Sequence, residues 1–163
     1  MMKKSDNYEQ YFSMCLAYIE IGEVAAHHEN VTGEYQNAVA YQLYHALELF
    51  VKYAILKKTG HLKKTHDLSM LFDSYYKLYT NEIYKIEHPF DFTTYTPSNE
   101  NLYEYEMYEK HIETFEPKIM DQHLRYPYDE KTGRYSYQIE SSYFTNIRKT
   151  IKKIYGEIND KNY

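Results

Sequence analysis

The chain has 163 residues, a length that suits one domain and buries roughly two thirds of its unfolded surface. Its net charge of −5 argues against a broadly basic nucleic-acid binder and against attachment to an anionic membrane, while leaving room for a local basic groove. One cysteine, Cys15, rules out an internal disulfide framework, and no apolar run approaches the ~20 residues needed to span a bilayer.

Met1 to Gln10 is polar and lacks the apolar stretch of a signal peptide, which with the lone cysteine predicts a cytoplasmic protein. The first segment, about Ser5 to Glu29, carries Tyr8, Phe12, Cys15, Leu16, Ile19 and Ala26 at three- and four-residue spacing, the mark of an amphipathic helix. Cys15 falls in that apolar stripe, so it is expected to pack as a small hydrophobe and not to act as a nucleophile. Thr32-Gly33 breaks the pattern.

A second helix is predicted over Glu34–Lys58, ended by Gly60. From Ala38 to Leu56 nearly every position is apolar, as in a helix buried over most of its circumference. The exceptions, Gln42, His45, Glu48 and Lys52, share one ridge. That ridge could form a polar patch in a cleft, with Lys52 meeting a phosphate and His45 moving a proton. Pairs spaced like Glu48 and Lys52 mostly lie on surfaces, so the stripe is expected to face solvent.

Thr65 is a candidate cap for a third helix running to about Ile86, with Leu68, Leu71, Phe72, Tyr75, Leu78 and Tyr79 on its apolar face. The Pro, Thr and aromatic texture of residues 87–97 reads as an extended loop, and Ser98 is a candidate cap for a helix to about Phe115. Residues 125–135 are turn-rich and suit a small hairpin. The last helix, about Gln138 to Ile158, carries a seam of Phe144, Ile147, Ile151, Ile154 and Ile158, with Lys149, Lys152 and Lys153 on its far face. Helices separated by short breaks, without a strand series, predict an all-α bundle. The 22 Tyr and absence of Trp put much apolar area in hydroxyl-bearing rings, which fit the rim of a core better than they define a binding surface.

Two stretches resemble the HEPN (higher eukaryotes and prokaryotes nucleotide-binding) family. One is Ala38-Val-Ala-Tyr-Gln-Leu-Tyr-His-Ala-Leu-Glu-Leu-Phe-Val-Lys52, followed by Thr65-His66-Asp67-Leu68. It is similar to the family's Glu-x-x-x-Lys and Thr-His-Asp-Leu pattern. The other is Leu124-Arg125-Tyr126-Pro127-Tyr128-Asp129, which resembles the Arg-Tyr-Pro segment that some members carry before their last helix. The resemblance implies a four- to five-helix bundle, with a turn-rich or hairpin insertion here before the last helix, and a homodimer. It also implies nucleotide or RNA binding, or partnership with a nucleotidyltransferase, in prokaryotic defence or toxin–antitoxin systems.

Some members are metal-independent ribonucleases that use an Arg followed four to six residues later by a His. This chain cannot carry that pair. Its arginines are Arg125, Arg134 and Arg148 and its last histidine is His123, so every histidine precedes every arginine. A lysine version, Lys118 to His123, does occur, but lysine lacks the planar fork with which arginine grips a phosphate.

The remaining candidates are His66, set by Asp67 at a helix start, and a phosphate surface of Arg125, Arg134, Arg148, Lys149, Lys152 and Lys153 interleaved with Tyr126, Tyr128 and Tyr135. The plainer reading of the lysines is a solvated helix face. No histidine has a glutamate three residues before it and no His-x-x-x-His occurs, so neither a metal site nor a cofactor is expected. The expectation is a single HEPN-like domain over residues 1–163 acting as a non-catalytic binding or partner module, with His45, Glu48, Lys52, Arg125, Tyr126 and Arg148 as ligand-binding candidates. Two alternatives stand beside it. One is an atypical ribonuclease using His66, Lys118 or His123, and the other is a structural adaptor without a nucleotide ligand.

Overall fold

The computed structural model describes residues 7–29, 32–90, 117–126 and 137–160. Among these residues the regular elements are all helical: α1 (Asn7–Ala26), α2 (Gly33–Thr59), α3 (Leu68–Leu78), a 3-10 turn (Glu82–Tyr84), α4 (Pro117–Arg125) and α5 (Ser141–Asp160). The expected helix from Ser98 to Phe115 and, beyond Tyr126, the expected hairpin lie outside the described residues, while Arg125, the hairpin's first expected residue, ends α4.

Local chemistry sets both ends of α2. Thr32 Oγ1 accepts from the Tyr35 amide, and Gly60, at φ 73°, closes the helix by donating its amide to the Leu56 carbonyl. Only glycine holds that left-handed conformation without strain. Between the caps α2 is the axis of the bundle and touches each of the other four helices. Its buried side chains include Leu43, Leu47, Phe50, Val51 and Ile55, each nearly or fully sealed from solvent. The seam of α5 (Phe144, Ile147, Ile151, Ile154, Ile158) is buried as its spacing predicts.

α1 crosses close to α5 at Gly22. A Cβ there would collide with the Phe144 ring and stand 2.9 Å from Gln42 Cβ. Cys15 is fully buried two turns earlier in the approach to α2, and that burial pushes its thiol pKa up. It is a packing residue.

Tyrosines fill the rest of the core rim. Phe12 stacks on Tyr155 at 3.9 Å, and buried Tyr53 accepts a bond from Asn159 at 3.0 Å. Tyr79 donates to the Ala54 carbonyl and Tyr75 to the Tyr84 carbonyl, at 2.9 and 2.8 Å. Each buried ring therefore keeps a partner for its hydroxyl.

Several boundaries differ from the sequence-based expectation: α1 ends at Ala26 and not near Glu29, and α4 has no counterpart among the expected helices. α3 is capped by Asp67, whose Oδ1 accepts from the Met70 amide at 3.1 Å, while Thr65 caps the preceding turn through the Asp67 amide. It ends at Leu78, not near Ile86, because Tyr76 on α3 binds both the amide and the carbonyl of Ile86 through its hydroxyl and folds the chain back. α5 begins at Ser141, three residues later than its apolar pattern suggested.

Candidate functional site

The polar ridge of α2 does not face solvent. Glu48 is only 2% exposed and Lys52 is also buried, so the expectation of a solvated stripe fails. One contact that helps cover Glu48 comes from outside α2: His66, in the strip before α3. Spacing fixed which residues share the face, but not which way the face points.

Glu48 is the hub. Its Oε1 accepts from Lys52 Nζ at 2.6 Å and lies 2.8 Å from His66 Nδ1, while its Oε2 lies 3.2 Å from His45 Nδ1. Burial alone would raise this carboxyl's pKa. The hydrogen bonds from His45 and Lys52 and the charge of Lys52 outweigh burial and hold it at about 2. A carboxylate only accepts, so both imidazoles present Nδ1–H to it, and in their neutral form both keep a lone pair on Nε2. The His66 side chain is 63% exposed.

Tyr44 places His66. Its hydroxyl donates to the His66 carbonyl at 2.7 Å and accepts from the Leu68 amide at 3.2 Å, pinning the start of α3 to α2 one turn before Glu48. Tyr18 of α1 meets the His45 ring edge-on at 4.6 Å, and Tyr41 stacks on its other side at 5.5 Å.

Tyr41 leads on to α4. The Arg125 guanidinium sits 5.6 Å from the Tyr41 ring and 5.4 Å from that of Tyr126, and donates to the buried carboxylate of Asp121 at 2.9 Å. Two rings and one buried anion hold the cation, and 37% of its side chain stays open to solvent. The result is a contiguous row: Tyr126, Arg125, Tyr41, His45, Glu48, His66.

Of the sequence-derived candidates, His45, Glu48, Lys52, His66, Arg125 and Tyr126 are brought together. Lys52 is committed to Glu48 inside the bundle. Arg148 is placed elsewhere: it pairs with Glu23 of α1, which also accepts from Thr145 at 2.5 Å. Gln42 turns away from the row, packing by Gly22 and donating to the Ala38 carbonyl. Lys118 and His123 belong to α4, but their side chains lie outside the described residues. Sequence reasoning missed Tyr41, Tyr44 and Asp121. Each sits four residues before a recognised residue (His45, Glu48 and Arg125), which is the signal that could have found them. Among the described residues no group of three or more His, Cys, Asp or Glu is placed to hold a metal ion.

A family model of the HEPN domain matches residues 23–117, more than half of the chain. The chain belongs to the HEPN family. HEPN domains are nucleotide- and RNA-related modules that often dimerise. The match covers α2 and α3, so the Glu48–His66 bond joins the two HEPN-like motifs of the sequence, Glu-x-x-x-Lys and Thr-His-Asp-Leu, into one structure. Arg125 and Tyr126 lie beyond the matched residues. A comparison with curated proteins gives no match, and neither does one with solved structures. Among the described residues no helix is long and apolar enough to cross a membrane.

Proposed function

We propose that this HEPN chain, one domain over residues 1–163, is a non-catalytic nucleotide- or RNA-binding module. It acts as a homodimer alongside a partner such as a nucleotidyltransferase, in a prokaryotic defence or toxin–antitoxin setting. The partner and the setting rest on family membership alone. The binding reading rests on Arg125, whose guanidinium stands between the Tyr41 and Tyr126 rings. An exposed tyrosine face stacks on a base, and the open donors of a fixed guanidinium take a phosphate through two bonds.

Labelled single-stranded RNA and nucleotides, titrated at several salt concentrations, test this. Retention that weakens with salt, and that falls ~10-fold or more in Tyr126→Ala and Arg125→Ala, is expected. If neither ligand is retained nor raises the melting temperature, the adaptor reading replaces this one.

A second reading, metal-independent RNA cleavage, draws on His66. An imidazole with Nδ1 on a buried carboxylate and most of its side chain open to solvent is oriented to take a proton, here from a ribose hydroxyl. Chelator-insensitive cleavage that disappears in His66→Ala would establish this reading and displace the first. Lys118→Ala and His123→Ala variants show whether α4 contributes.

A further inference from the structure

α1 is apolar on two sides. One side, with Cys15 and Ile19, is buried. The other carries Met14, Ile21 and Val24, exposed by 48, 58 and 70%, with exposed Ala17 between them. Steps of three, four and three residues keep these four on a single stripe. Exposed Gln10 stands four residues before Met14. α1 ends at Ala26, and beyond it the His28 ring lies 5.8 Å from that of Tyr35 on α2, off the stripe. The stripe lies open, uncovered by the described residues.

We infer that a second copy of this chain docks on the stripe, α1 against α1 and antiparallel. The inference rests on the homodimer reading above and names its face. From Met14 to Val24 the steps are three, four and three, and they read the same from either end about position 19. A helix running the other way therefore presents the same stripe in register. Met14 then faces the second copy's Val24, and Ala17 faces Ile21. Small Ala17 leaves the room that Ile21 fills. A parallel copy would set Ala17 on Ala17 and Ile21 on Ile21, leaving a gap beside a bulge.

Alternating steps of three and four give the 3.5-residue period of a two-helix seam. The stripe exposes on the order of 300 Å² of apolar surface per copy, the size of a functional patch. Flanking Ser13, Glu20 and His27 widen the contact toward the ~800 Å² per partner that a stable dimer buries. Tyr18 flanks the stripe and touches His45, so the second copy sits beside the polar row.

Sedimentation equilibrium of the full chain tests the face. The wild type is expected to dimerise, with Ile21→Glu raising the dissociation constant at least ~10-fold while leaving the helical circular dichroism unchanged. Glu20→Gln tightens the dimer, because the antiparallel register brings the two Glu20 side chains together at the axis. A mixture of Ala17→Cys and Ile21→Cys chains, oxidised together, yields more mixed disulfide dimer than either self-pair. Buried Cys15 stays out of that reaction. A dimer indifferent to Ile21→Glu, or one in which self-pairs dominate, overturns the stripe and leaves the homodimer reading standing. A monomeric wild type overturns both.

Discussion

Replacing Glu48 by Gln removes the charge on which Lys52, His45 and His66 converge, and its cost follows from the shift of that carboxyl. The fall from the ordinary 4.5 to about 2 corresponds to about 3 kcal/mol, taking ~1.4 kcal/mol per pH unit. Because the folded-state value lies below the unfolded one, the contribution is whole above the ordinary 4.5 and is lost as pH falls toward 2. Urea denaturation at neutral pH should then show Glu48→Gln less stable by about 3 kcal/mol, or roughly 6–12 °C in melting temperature.

The pH dependence separates this account from simple loss of packing. The wild type loses stability on acidification through that window, whereas the variant profile is flatter by the share of one carboxylate. Adding Lys52→Met to Glu48→Gln recovers part of the loss, since the buried ammonium no longer lacks its counter-charge. Equal stability of the variant and wild type at neutral pH, with parallel profiles below it, would refute the hub.

Three further outcomes follow from the packing. Gly22→Ala forces a methyl group into the Phe144 ring and Gln42, so it destabilises by about 1–3 kcal/mol in thermal denaturation despite its better helix propensity. Tyr44→Phe leaves the His66 carbonyl and Leu68 amide without their shared partner, a loss of about 1–3 kcal/mol. In the same variant, histidine resonances report His66 released from Glu48. A thiol reagent should modify Cys15 only at the rate of unfolding, since the thiol is buried and its pKa raised.

Much of this arrangement is legible in the residues. The 3.6-residue period of α5 marks its buried seam, the near-continuous apolar run of α2 marks a helix buried on most sides, and Gly60 marks the end of α2. Order along the chain excludes the Arg-to-His pair without any structure. What pattern does not carry is direction. The ridge of Glu48 and Lys52 reads the same whether it faces water or protein, and the His66 contact to Glu48 comes from the strip before α3, whose docking is a tertiary event. The early stop of α3 is of the same kind, since the Tyr76 hydroxyl reaches forward to Ile86 across a break that helix propensity does not foresee. Arg148 looked like part of a basic face until Glu23, from the first helix, claimed it.

The tyrosine-filled core sets an alkaline ceiling on this fold. Burial pushes the Tyr44, Tyr53 and Tyr75 hydroxyls up, well beyond their ordinary 10. Above that pH the unfolded chain ionises these phenols freely while the native bundle holds them neutral, so each added unit of pH favours the open chain. With no Trp to mask the signal, the ultraviolet absorbance of tyrosinate reads this directly. The buried rings ionise together, at the pH where the helices come apart.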